Sequence, residues 1–250
     1  MNYIDKIIEM NFKNEEVKYL NEINNIPLYE KNIQQRDSNY YKIVTNNLSY
    51  FVKVKRNLQN EIMNYNILKN IISVPHIYYY GKISADNMDY IVEEYIESVN
   101  LYQINIKYSL YKPIIYSAGK AFGKVFNLKR KINNFYDDID LLKLNNLSNY
   151  EKELFQKYYG KYYMYDGFIL FDVAYLCSIS KIELVKIADL ENCLYDDIRP
   201  YISIYKQLFG EEFILGFNAS SNIEYDKLEI IDKEEYFCAQ IIKEKLVKFL

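Results

Sequence analysis

Histidine occurs once, at His76, and that scarcity removes whole classes of chemistry. A metal centre of several imidazoles has no ligands here, and a Ser-His-Asp or Cys-His enzyme would have to be built around this one residue. His76 stands in Val74-Pro75-His76-Ile77, at the entrance to an apolar strand, where a structural imidazole is the simpler reading. Glycine is scarce too: there are seven, and none precedes Gly81. A Gly-rich phosphate loop or a G-x-G-x-x-G turn therefore has no place in that stretch. The three cysteines, Cys177, Cys193 and Cys238, form no C-x-x-C pair. They give no zinc framework and fit a reducing compartment. The longest apolar run, Gly167 to Ile179, contains Asp172 and falls short of the about 20 residues that cross a bilayer. Met1-Asn2-Tyr3-Ile4-Asp5-Lys6 lacks the basic-then-apolar pattern of a leader. The expectation is a cytoplasmic protein with no membrane partner.

What is present narrows the class further. Lys+Arg number 31 against 34 Asp+Glu, a formal charge of -3, which argues against a nucleic-acid partner because phosphate binding needs clustered excess Lys/Arg. With 250 residues, half of them apolar, the chain suits one large domain or two lobes. A charged share of 26% and an aromatic share of 17% exclude a disordered tail or a fibrous repeat.

Along the chain, Ile4, Ile7, Ile8, Val17, Leu20 and Ile23 suggest one or two short amphipathic helices in residues 1–25. Tyr40–Val44, a polar turn and Tyr50–Val54 read as strand, turn, strand. Period two places Phe51, Lys53 and Lys55 on one face and Tyr50, Val52 and Val54 on the other. Leu58, Ile62, Tyr65, Leu68 and Ile72 then make a helical stripe, stopped by Pro75. Strands follow at Ile77–Gly81 and Tyr90–Ile96, and a helix over Tyr116–Leu128. After a polar middle segment, Leu184–Ala188 reads as a strand ending at Asp189, and the tail is helical from about Tyr236.

The chemistry centres on Lys53. An ammonium projecting from a sheet face must be solvated or paired. The nearest candidate anion is Glu61, at the start of the following helix, and a helix packed across the sheet could bring its carboxylate to Lys53. A Lys-Glu pair of that kind holds a lysine ready for nucleotide phosphates.

Lys53 in Tyr-Phe-Val-Lys-Val, Glu61 on the next helix, Val74-Pro75 before a strand, and the Tyr90–Ile96 strand entering a linker together resemble the N-terminal lobe of aminoglycoside phosphotransferases and choline kinases. These are protein-kinase-like enzymes that phosphorylate small molecules. Asp37-Ser38-Asn39-Tyr40 is similar to the hairpin they place over the phosphates, and Lys186-Ile187-Ala188-Asp189-Leu190-Glu191 to the strand that ends in their metal-binding Asp-Phe/Trp-Glu. The resemblance implies an α+β, protein-kinase-like two-lobe fold. Residues 1–97 would form a nucleotide-binding lobe with a small mixed β-sheet and one key helix, and residues 98–250 a mainly helical lobe. It implies ATP and Mg²⁺ as cofactors. Ser38 and Asn39 would lie over the phosphates, Lys53 on the α/β-phosphates with Glu61 positioning it, the main chain of Glu94 and Tyr95 on adenine, and Asp189 on Mg²⁺, which prefers oxygen ligands.

One family element departs. The catalytic loop, His-Gly-Asp followed five residues later by Asn, has no match. Counting back from Asp189 puts Asp172 at the base position and Cys177 at the asparagine position. Alternatively Asp166 takes the base position, with Asp172 near the metal position. The residues between are apolar in either register. Two readings follow: an ATP-dependent phosphotransferase acting on the hydroxyl of an unknown small molecule, with Asp172 accepting the proton, or an inactive pseudokinase that binds a protein partner. Asp137, Asp138 and Asp140, and Asp196 and Asp197, are acidic clusters in the half where family substrates sit.

Overall fold

Period-two alternation organises the first hundred residues. In the computed structural model, which describes residues 3–22, 39–83, 87–97, 99–101, 111–128, 140–159, 166–170, 174–177, 185–228 and 232–246, it produces a five-stranded sheet. The strands are β1 (Val17–Glu22), β2 (Asn39–Thr45), β3 (Ser49–Lys55), β4 (Ile77–Ile83) and β5 (Met88–Glu94), in the order β1-β2-β3-β5-β4. All four pairings are antiparallel, not mixed as expected from the sequence. The helical crossover after β3 does bring β4 back parallel to β3. However, β5 turns back between them and pairs antiparallel with both. Among the described residues of this stretch, 3–22, only Tyr3–Asn11 (α1) is helical. Val17 and Leu20 fit a helical spacing, but pairing with β2 makes that segment an edge strand.

The two faces of this sheet differ in kind. Tyr41 and Ile43 of β2, Tyr50, Val52 and Val54 of β3, and Met88, Tyr90 and Val92 of β5 form one buried apolar layer with Ile4, Ile7 and Phe12. The opposite face carries Lys53 and Lys55 on β3, and on β5 their register partners Ile91 and Asp89, with Glu93 opposite Phe51. The helix α2 (Gln59–Leu68) follows β3 after a tight turn in which Asn57 takes φ 61, a left-handed conformation that asparagine tolerates.

The chain divides into two compact units, Met1–Gln103 with Asp172–Asn192, and Ile104–Phe171 with Cys193–Leu250. The segment carrying Asp189 thus groups with the N-terminal sheet. There, Val99–Asn100, Ala174–Cys177 and Val185–Ala188 form a small antiparallel sheet, and Ile187 N–H donates to Ser73 O at 2.9 Å.

The second unit is mainly helical: α3 (Lys112–Phe126), α4 (Leu141–Asn145), α5 (Asn149–Tyr159), α6 (Ile198–Phe209), α7 (Glu211–Asn218) and α8 (Lys233–Leu246). A ribbon pairs Asp166–Ile169 with Leu194–Asp197. Helices α3 and α7 approach so closely that a Cβ on Gly119 would lie 2.0 Å from Phe213 O, and one on Gly216 2.0 Å from Tyr116 O. Only glycine fits at these two positions. Helix α5 buries Leu154, Phe155, Tyr158 and Tyr159 against Tyr236, Ala239, Ile242 and Leu246 of α8. This unit also contains a buried ion pair. Asp197 accepts from the Arg199 amide at the start of α6 and from the Arg199 guanidinium at 2.5–3.0 Å, and both side chains are 4% exposed.

Candidate functional site

The first unit gathers its charges around Lys53. Its Nζ donates to both Glu61 oxygens at 2.9 Å and to Asp189 Oδ1 at 2.8 Å. β3 supplies the lysine mid-strand, the first turn of α2 supplies Glu61, and Asp189 follows the strand Val185–Ala188. Asp189 has φ 58, so the chain turns sharply there and presents its carboxylate to β3. A short helical turn, Leu190–Asn192, follows. It is fixed to α2 by Asn64, whose Nδ2 donates to Leu190 O at 2.7 Å. Two residues along β3, Lys55 meets Glu191 at 2.6 and 2.8 Å. Lysines two apart on a strand thus hold carboxylates two apart on the turn.

Burial and charge set the protonation states. For Lys53, burial works against the charged form, but Glu61 and then Asp189 outweigh it, and its pKa lies well above the usual value. Glu61 is also raised: burial pushes it up, Lys53 pulls it down, and Asp189 pushes it up again. The contact, with both oxygens on one ammonium, has the geometry of an ion pair. Glu93 is 8% exposed on the same sheet face. Burial first, and then the nearby Glu61, raise it to about 8 against the pull of Lys53. Among the described residues its carboxyl makes no hydrogen bond, and its burial beside Glu61 favours the protonated form.

The remaining residues singled out from the sequence are distributed as follows. Asn39 opens β2 opposite Val54, whereas Ser38 and Asp172 lie outside the described residues. Glu94 ends β5, and its carboxylate accepts from Lys186 at 2.6 and 2.8 Å and from the His76 amide at 3.2 Å. The Glu94 amide donates to His76 O and the Tyr95 amide to Ser49 O. A base placed at this strand end would have to use main-chain groups other than these two amides. Lys42 lies over the Tyr95 ring, 3.8 Å from its centroid. Cys177 lies in a strand of the small sheet and Asp166 in the two-stranded ribbon. Asp140 caps α4, accepting from the Leu142 amide at 3.0 Å. Asp196 accepts from Tyr201 Oη at 2.9 Å and lies 3.6 Å from Lys243.

The donor set suits a hard cation. Glu61, Asp189 and Glu191 each place a carboxylate oxygen within 4.8 Å of the others. Glu61 has both oxygens on Lys53 and Glu191 both on Lys55, whereas Asp189 meets Lys53 through Oδ1, so Asp189 is the residue best placed to hold a divalent ion. Sequence reasoning missed Glu93, Lys55 with Glu191, Asn64 and Lys186. No local pattern marked Glu93, because β5 is buried along nearly its whole length.

Known proteins with solved structures share this architecture. No family model matches the chain, and no curated protein sequence does. Spectinomycin phosphotransferase APH(9)-Ia, in complex with ADP and spectinomycin, superposes with a TM-score of 0.57 at 14% identity, covering 96% of this chain and 85% of that one. The GDP complex of aminoglycoside 2'-phosphotransferase-IIIa gives 0.57 at 14% identity, covering 96% and 87%. Amicoumacin kinase in complex with AMP-PNP and Ca²⁺ gives 0.53 at 12% identity, covering 98% and 95%. The chain has the fold of the aminoglycoside phosphotransferases, a protein-kinase-like α+β fold.

Proposed function

We propose that the protein binds a purine nucleotide with a divalent cation and transfers its terminal phosphoryl group to the hydroxyl of a small molecule. The observation that carries this reading is the ammonium of Lys53, shared at 2.8–2.9 Å between Glu61 and Asp189 in a chain of this fold. Lys53 would bind α- and β-phosphate oxygens while Glu61 holds it, since phosphoryl transfer is mostly positioning and charge stabilisation. Mg²⁺ held by Asp189 would neutralise charge on the phosphates, with Glu191 beside it paired to Lys55. Asn39 and Ser38 would cover the phosphates, the strand end at Glu94 and Tyr95 would meet the adenine, and Asp172 would accept the hydroxyl proton.

A specific observation favours a second reading, nucleotide binding without transfer. In the register that makes Asp166 the base, the residues after it form a paired strand, and Phe168, Ile169 and Leu170 are at most 2% exposed. A catalytic loop needs solvent and substrate access, which these residues lack. We expect ATP turnover with a panel of small hydroxylated acceptors to be abolished by Asp189→Asn. Mg²⁺-dependent ADP binding without turnover would select the second reading, and absence of both would reject the two together.

A further inference from the structure

We propose that Asp89 is a positioning residue that sets where α2 lies and so brings Glu61 to Lys53. Asp89 Oδ2 accepts from the Leu58 amide at 3.1 Å, inside the protein. Leu58 is the residue from which α2 starts. It is fully buried, has no side-chain cap of its own, and lies three residues, about one turn, before Glu61. The first amides of a helix lack intrahelical partners, and the amide of the cap residue itself is satisfied in a capping box by the side chain three residues on, here Glu61, whose two oxygens are on Lys53 instead. A capping box closed by Glu61 would satisfy the Leu58 amide but would take that carboxylate away from Lys53. Here the acceptor comes from β5, the strand paired with β3, so the helix start is tied to the strand beside Lys53.

The surroundings of Asp89 show that its carboxylate is kept for this amide. Lys55 is its register partner across the strands, yet Lys55 turns to Glu191. Lys82 reaches only to 3.7 Å of Oδ1, and Oδ1 is buried without a hydrogen bond among the described residues. A carboxylate 5% exposed with one oxygen unspent is a costly way to cap a helix. That cost is explained if the contact fixes the helix in place. Asn57 helps, because its φ of 61 turns the chain from β3 so that the Leu58 amide points at β5. Further along, Asn64 ties the same helix to Leu190 O, so besides the Glu61–Lys53 pair itself the start of α2 is held to the sheet by Asp89 and its middle to the turn after Asp189 by Asn64.

The test reads the state of Lys53 apart from stability. Full-length wild type, Asp89→Ala, Asp89→Asn and Leu68→Ala are labelled with an amine-acylating reagent well below their melting midpoints. Modification of the Lys53 peptide is followed by mass spectrometry, with ADP affinity measured in parallel. Lys53 is buried with its Nζ shared between Glu61 and Asp189, which makes it slow to acylate. Asp89→Ala is expected to speed Lys53 labelling about five-fold or more and to weaken ADP binding to a similar degree. Asp89→Asn, which retains an acceptor for the amide, is expected to stay within about two-fold of wild type. Leu68→Ala, a cavity in the same helix, is expected to lower the midpoint while leaving Lys53 labelling unchanged. Unchanged Lys53 labelling in Asp89→Ala, or an equal increase in Leu68→Ala, overturns the proposal. The labelling result decides it even if no nucleotide binds, an outcome that would count against the functional reading alone.

Discussion

Both units bury ionic clusters, and the two are built differently. In the helical unit Asp196 and Asp197 face Arg199 and Lys243, two acids against two bases. The guanidinium fork sits on one carboxylate that also caps α6, and the charge is balanced where it is buried. Around Lys53 the balance fails: Glu61, Asp189, Glu191 and Glu93 stand near Lys53 and Lys55, four acids against two lysines. The first arrangement is complete in itself. The second holds excess negative charge and a buried proton, and a bound cation with its phosphates would complete it. A buried ion pair alone is weak grounds for either stability or function, and it is the imbalance that separates the two clusters.

Breaking the balanced pair should have the largest effect on folding. Arg199→Leu leaves Asp197 buried without its partner, and urea unfolding should show a loss of about 3–5 kcal/mol. An effect under about 1 kcal/mol would mean that the pair contributes no more than a surface ion pair.

Glu93→Gln should sharpen the other side of the comparison. Its folded pKa of about 8 exceeds the ordinary carboxyl value of 4.5, so the folded chain binds a proton that the unfolded chain releases between those pH values. Stability associated with Glu93 is therefore fully present below about pH 4.5 and is lost as pH rises through about 8. Glu93→Gln should remove that slope and become more stable than wild type at pH 8, by an amount on the order of a few kcal/mol. Unfolding midpoints of both proteins at pH 5, 6.5 and 8 measure it, and parallel curves would refute it.

The sequence made part of this cluster legible. Lys53 and Glu61 could be read because strand and helix periodicities are local, and α2 follows β3 after a turn of three residues, Arg56 to Leu58. Glu93 and Asp89 could not be read in the same way. β5 is buried along nearly its whole length, so no alternation marks which residues face Lys53. β1 was hidden because Val17 and Leu20, three apart, fit a helical spacing and would fall on opposite faces of a strand. The approach of Asp189 to Lys53 spans 136 residues of chain and came only from a resemblance, with no local pattern to indicate it.

Lys55→Met should have the smallest effect. The Lys55–Glu191 pair is about one-fifth exposed at each end, and partly solvated pairs contribute little, so a loss of about 1 kcal/mol or less is expected in urea unfolding. A loss several times larger would place this pair with the buried Asp197–Arg199 pair of the helical unit.

The central claim is that the excess charge around Lys53 is there to receive a nucleotide and its cation. Calorimetric titration of ADP with Mg²⁺ into wild type and Lys53→Ala tests it most directly. Saturable binding by wild type that depends on Mg²⁺ and weakens at least ten-fold in Lys53→Ala is the result expected. Equal heats from the two proteins, or no binding by a folded wild type at millimolar ADP, would contradict it.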